Sequence, residues 1–341
     1  VLMKRTISSI LLTAMLAVQL SGCGEEEQKV SGASDMVQDA SGADSQEISV
    51  GEGGILDPSA VLGLAGKDNS LDAYSATARV SLQVEKPENA LGGGGARSFL
   101  GATGAYHFEK HLFSTADESW DELLFVTAEG KADSERFEWE SQLWDIGPVA
   151  GTDHYAAFSL EEQEGGEDYR YFLTERDENH ENLREFPLDF LTGSENEVIM
   201  SLSGFAVDQS GTVNLLRSTE EGQQYLLVSQ EGEILAEYIL EGSYNSRLVP
   251  LYDGRIGVTE KGDNGEMTLQ YMDGQADRPV TLAVLEKDAF CLALFDEDTL
   301  LYADGEGVYR SGLSGENPEL LYCWSNHGII AHGVSALQAD E

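Results

Sequence analysis

Two interleaved series of turns with one common period constrain this chain more than any other feature. The segments "FAVDQSGTVNLL" (205–216), "LVPLYDGRIGVT" (248–259) and "CLALFDEDTLLYA" (291–303) each read as an apolar strand, an acidic or glycine turn and a second apolar strand. Their turn positions Gly211, Gly254 and Asp298 lie 43 and 44 residues apart. A second series, "YLLVSQEGEIL", "TLQYMDGQADRPVTL" and "GVYRSGLSGENPELL", places Gly232, Gly274 and Gly315 at intervals of 42 and 41. Two hairpin turns per period mean four strands per unit, the requirement for a propeller blade. The predicted fold is therefore all-β, a β-propeller of about six four-stranded blades, complete or cut short, over residues 71–341. Short Val, Leu, Tyr and Phe runs broken by Gly, Asp and Asn, with almost no helical periodicity, support this.

Upstream the repeat is blurred. Residues 151–191 fit one blade with an enlarged acidic turn, and residues 123–144 resemble the outer hairpin of the blade before it. The last unit begins at "IIAHGVSAL", a strand expected either to close the ring against the N-terminal strands or to be the start of a longer array.

The first residues carry a different signal. Lys4 and Arg5 precede the apolar run "ISSILLTAMLAVQL" and then "LSGC", residues 20–23. This run is short for a membrane span and is flanked as an export signal is. Leu, Ser, Gly and Cys in this place resemble the lipobox of bacterial lipoproteins, which implies cleavage after residue 22 and a lipid on Cys23. The expected location is the outer face of the cell membrane. From Cys23 to about residue 70 the chain is rich in Gly, Ser, Glu, Asp and Gln, and its first part, up to about residue 54, has no aromatic residue, so it is read as a disordered acidic linker.

Lipobox, linker and blades of the type "FAVDQSGTVNLL…YLLVSQEGEILAEY", followed by "LLYCWSNHGIIAHGVSAL", resemble the N-terminal propeller-like region of large lipoproteins of Gram-positive (Firmicutes) gut anaerobes. In that family the region precedes an extracellular solute-binding domain of an ABC importer. The resemblance covers most of residues 100–341 and implies a binding or scaffolding module, not an enzyme, associated with ABC transporter components and a carbohydrate or other small solute. The sequence carries no α/β solute-binding domain, so transport is not expected of it alone. A stand-alone glycan-binding module and a propeller glycoside hydrolase or lyase are the alternatives, the last marked by carboxylates converging on a channel mouth.

Charge narrows the partners. With 62 acidic against 20 basic residues the formal net charge is -42, and such a surface repels phosphate backbones, so nucleic acid is not an expected partner. No cofactor motif is present: "LGGGGA" (Gly92–Gly95) lacks the Gly-Lys-Ser/Thr of a phosphate cradle and is read as a flexible loop. "HFEKH" sets His107, Glu109 and His111 on one face of a strand, the weak metal candidates of the chain; exposed strand residues are the favoured reading. "DENHENLREFPL" from Asp177 imitates a calcium loop but has Asn182 in place of Gly and Leu188 in place of the bidentate Glu, which favours a solvated turn. Trp120, Trp139, Trp144 and Trp324 are expected between blades more than on a sugar-binding face. Cys291 and Cys323, both in apolar runs, are expected to be buried thiols, although export would permit a bridge. No catalytic residue and no ligand-binding residue is singled out.

Overall fold

In a computed structural model of the chain the elements are all strands, apart from a short helical turn that includes Glu197 and Val198. The structure describes residues 10–15, 54–55, 59–67, 70–82, 85–86, 92–101, 106–114, 119–127, 132–138, 145–163, 169–177, 179–193, 197–198, 201–240, 246–262, 264–275, 278–324 and 333–339, with side chains mainly from residue 145 to residue 324. Cys23, the expected lipidation site, lies outside the described residues. Among them no helix is long and apolar enough to cross a membrane.

The strands in chain order begin with β1 (Ile10–Met15), β2 (Gly54–Ile55), β3 (Ser59–Lys67), β4 (Ser70–Leu82) and β5 (Glu85–Lys86). Blade 1 is β6 (Gly92–Leu100), β7 (Tyr106–Ser114), β8 (Ser119–Thr127) and β9 (Ala132–Glu138). Blade 2 is β10 (Asp145–Pro148), β11 (Tyr155–Glu162), β12 (Tyr169–Arg176) and β13 (Asn182–Pro187). Blade 3 is β14 (Leu202–Val207), β15 (Val213–Thr219), β16 (Gly222–Val228) and β17 (Ile234–Leu240). Blade 4 is β18 (Arg247–Pro250), β19 (Ile256–Lys261), β20 (Met267–Tyr271) and β21 (Val280–Leu285). Blade 5 is β22 (Cys291–Leu294), β23 (Thr299–Ala303), β24 (Gly307–Gly312) and β25 (Glu319–Cys323). The final strand β26 (Gly333–Ala339) joins β1, β3 and β4 in a sheet of order β26-β1-β3-β4, and β2 pairs with β5. The five blades are antiparallel meanders in sequence order.

The cores lie between sheets, which is what makes the arrangement radial. Phe158, Tyr171, Leu173 and Phe186 of blade 2 meet Phe205, Leu215, Leu226 and Val228 of blade 3 in one buried cluster. Leu216, Tyr225 and Leu227 of blade 3 meet Val258 of blade 4, and Leu269 and Leu285 of blade 4 meet Leu292, Leu300 and Tyr302 of blade 5. The other face of blade 5, with Leu301, Val308 and Trp324, packs with Leu337 of β26. Blades buried on both faces explain why these strands read as continuous apolar runs, each buried large side chain contributing about 1.5–3 kcal/mol. First strands approach one another from sheet to sheet: β10 touches β6 and β14, β14 touches β18, and β26 touches both β22 and β6.

Both turn series occupy equivalent places. Gly211 and Gly254 end first-to-second-strand turns with φ of 85° and 80°, and Gly232, Gly274 and Gly315 sit in third-to-fourth-strand turns with φ of 86°, 71° and 74°. Only glycine adopts such backbone freely, so the period visible in the sequence is the period of the blade. One sequence expectation changes here, that of a glycine loop, and the expectation of two buried thiols holds for Cys291 and in part for Cys323. Gly92–Gly95 are not a loop but open β6, where Gly92, Gly93 and Gly94 pair with Ser114, Phe113 and Leu112 before a bulge ahead of Arg97; a strand approached closely by neighbouring backbones tolerates residues without Cβ. Cys291 and Cys323 are both free. They stand on the first and fourth strands of blade 5, about 14 Å apart at ordinary strand spacing, too far for a bridge. Cys291 is buried, which pushes its thiol up to about 12, whereas Cys323 is half-buried.

Candidate functional site

Among the described residues the sequence candidates do not assemble into a site. His107, Glu109 and His111 fall on β7 as expected, and their side chains lie outside the described residues. Among the described residues no three His, Cys, Asp or Glu side chains are placed to hold a metal ion. The Asp177 segment is a turn that its own aspartate closes: the N–H groups of Asn179 and Glu181 donate to Asp177 Oδ1 at 3.0 and 2.8 Å. Desolvation opposes ionisation of Asp177, yet these N–H groups and the Asn179 amide hold it below the usual carboxylate range. Trp324 is a packing residue, buried edge-on against Tyr322 with Nε1 donating to the Asp304 carbonyl at 2.8 Å. The first strands of blades 1 to 5 carry only Arg97, Asp145 and Arg247 as charged residues, so among these described strands carboxylates do not converge.

The residues that do converge were not singled out from the sequence. Register places Ala156 on β11 opposite Glu175 on β12, and Glu175 opposite Arg184 on β13. Glu175 is buried, with only 8% of its side chain exposed. A carboxylate in such a place requires partners, and this one has three nitrogens. Arg184 donates from Nε and Nη2 to Oε2 at 2.9 and 2.6 Å, while His154 Nδ1 lies 2.8 Å from Oε1. The guanidinium of Arg184 also covers the Phe186 ring at 4.7 Å. His154 precedes β11, and its backbone is pinned through its N–H to Thr152 Oγ1 at 3.1 Å, Thr152 in turn donating to the Val149 carbonyl at 2.9 Å. Beside it the Tyr155 hydroxyl lies 3.3 Å from Nδ1 of His180, which is held at φ 65°.

The cluster thus sits where blade 2 meets the first turn of blade 3; a Cβ on Gly211 would come within 2.6 Å of the Arg184 guanidinium. Nδ1 of His154 is engaged by Glu175 and 29% of the side chain is exposed, so Nε2 is the ring nitrogen left for a second partner. An imidazole oriented by a buried carboxylate is suited to proton transfer. A groove of about 550 Å³ runs along the other face of blade 2, past Ser159, Phe172, Thr174 and Arg176, with Arg184 at its margin. The sequence signal for the cluster was slight: Glu175 and Arg184 are opposite charges flanking one hairpin turn, a common source of cross-strand pairs.

No family model matches the chain, and no curated protein matches it. Solved structures do. An oligogalacturonate lyase from Vibrio parahaemolyticus aligns with a TM-score of 0.40 at 10% identity, over 79% of this chain and 75% of that one. A puromycin hydrolase gives 0.43 at 13% identity over 77% of this chain, which spans only 43% of the hydrolase. The Dos1 propeller gives 0.39 at 11% identity, over 77% and 65%. At these identities the likeness concerns fold, and the fold reading stands on this chain's own sheets, turns and cores. The expectation that the chain is not an enzyme is withdrawn: the structures it is similar to include a lyase and a hydrolase, so a propeller fold does not by itself exclude catalysis. The resemblance to solute-uptake lipoproteins, from which that expectation came, finds no support among the matches.

Proposed function

We propose that this chain is an exported, lipid-anchored propeller protein of the hydrolase or lyase class, in which His154 is the proton-transfer group. The observation that carries the reading is the 2.8 Å contact of His154 Nδ1 with the buried Glu175, itself saturated by Arg184. In this reading Nε2 takes a proton from water or from an activated C–H of a small polar substrate. Glu175 stabilises the imidazolium as it forms, the role a buried carboxylate has in other His-dependent sites. Arg184 is a positioning residue, since both of its contacts to the cluster go to Glu175.

Turnover is tested first on oligogalacturonate and puromycin, the compounds named for two of the structural relatives, and then on a wider panel of esters, amides and uronic-acid oligosaccharides. With a substrate found, His154→Gln is expected to lower kcat by about 10²–10⁴-fold at unchanged Tm. A fully active His154→Gln protein would sink the assignment, and so would a purified full chain that turns over nothing on the panel. The anchor part of the proposal rests on "LSGC" and is tested separately. Cys23→Ala should move the protein from the membrane fraction to the medium or the periplasmic-side soluble fraction, and continued membrane retention refutes the lipid.

A further inference from the structure

On blade 5 a single ammonium group is surrounded by everything that recognises one. Lys287 stands in the loop between β21 and β22 and reaches over the turn between β23 and β24. Its Nζ lies 2.6 Å from Asp304 Oδ2 and 4.8 and 4.7 Å from the ring centroids of Tyr302 and Tyr309. These tyrosines are direct cross-strand partners, stacked at 4.9 Å with their planes 10° apart. Glu306 adds a second carboxylate, accepting the Tyr309 hydroxyl at 2.9 Å.

The acceptor side is built into the sheet. Asp304 Oδ1 takes the N–H groups of Glu306 and Gly307 at 2.8 and 3.1 Å, which leaves Oδ2 for the cation, and its carbonyl is fixed by Trp324. Tyr302 is 1% exposed, so its ring is met only by a group already in the place that Lys287 fills. The cation side is not built in. Lys287 comes from a loop, and 41% of its side chain is exposed. A pre-organised acceptor with an exchangeable guest is the arrangement of a binding site, and a fixed carboxylate beside a stacked pair of tyrosines suits an alkylammonium. The net charge of -42 raises the local concentration of such cations.

We propose that Asp304, Glu306, Tyr302 and Tyr309 form a binding site for a primary alkylammonium, occupied in cis by Lys287, which an external amine displaces. The external group is a lysine side chain of a partner or a free polyamine, two sources of one chemistry. The test uses the full chain with Nα-acetyl-lysine amide and spermidine as separate probes, followed by calorimetry. Lys287→Ala should bind at least one of them about 10-fold or more tightly than wild type, since its own competitor is gone. Preference for acetyl-lysine amide points to a protein partner and preference for spermidine to a polyamine. Asp304→Asn in the Lys287→Ala background should return binding to the wild-type level, and added salt should weaken it. Equal affinity in wild type and Lys287→Ala, or indifference to Asp304→Asn, overturns the proposal.

A readout on the unmutated chain covers the case in which the variant does not fold. With lysines carrying ¹³C-dimethyl labels, the Lys287 methyl resonance, shifted upfield by the tyrosine rings, should move toward the free-lysine position as spermidine is added. No movement at saturating spermidine refutes displacement.

Discussion

The Glu175 and Lys287 clusters are opposites in charge order. In blade 2 a carboxylate at the centre is held by a guanidinium and an imidazole; in blade 5 an ammonium at the centre is held by a carboxylate and two aromatic rings. They also differ in which member is buried. Glu175 has 8% of its side chain exposed and its partners His154 and Arg184 29% and 35%, whereas Lys287 is 41% exposed and its acceptor Asp304 only 11%. In both, the carboxylate is the fixed part and its nitrogen partners are the more exposed. The difference is where the unused capacity lies: in blade 2 on His154, a group able to move a proton, and in blade 5 in the seat beneath a replaceable lysine.

The comparison breaks most directly in stability. Glu175→Ala leaves the Arg184 guanidinium and the His154 imidazole facing a buried gap, and removing one partner of a buried ion pair costs about 3–5 kcal/mol. The partial exposure of His154 and Arg184 lets both rehydrate, so the low end, about 3 kcal/mol, is expected from urea unfolding. Lys287→Ala should cost about 1 kcal/mol, an exposed ion pair and a partly exposed cation–π contact together. Equal costs for the two variants would mean that burial does not distinguish the clusters.

What the sequence made legible, and what it hid, divides along the same line. Turn glycines are local: Gly211, Gly232, Gly254, Gly274 and Gly315 all adopt positive φ because the hairpin demands it, and a demand met within four residues leaves a periodic trace. The clusters are not local. His154 lies 21 residues from Glu175, and Lys287 lies 17 from Asp304 with two strands between them. Such meetings depend on strand register and on the seating of loops over neighbouring turns, neither of which follows from apolar periodicity. The sequence shows the segment holding Glu175, Asp177 and Arg184 as part of a blade, with an imitation of a calcium loop from Asp177 onward, and its actual content is a cross-strand pair around a self-closed turn.

The smallest effect sharpens the comparison through pH. Burial works against the charge on Lys287, but its hydrogen bond and attraction to Asp304 prevail, and its ammonium is held above the usual lysine range. Desolvation and the bond to Glu306 likewise raise the Tyr309 hydroxyl. Groups whose folded values are raised contribute fully below their unfolded values, near 10.4 for lysine and 10 for tyrosine, and lose that contribution as pH climbs through the folded ones. The turn beside the other cluster behaves in the opposite sense: Asp177 is lowered, so its contribution is whole above the ordinary aspartate value and disappears as pH falls through its own. Because Lys287 is largely exposed, solvent screening limits its share to about 0.5 kcal/mol. A Tm series from about pH 9 to 11.5 on wild type and Lys287→Ala should therefore show two curves that converge with rising pH, because the variant has nothing left to lose there. Parallel curves would mean that the ammonium adds no stability from its seat, and that its place over the two tyrosines is an accident of loop packing.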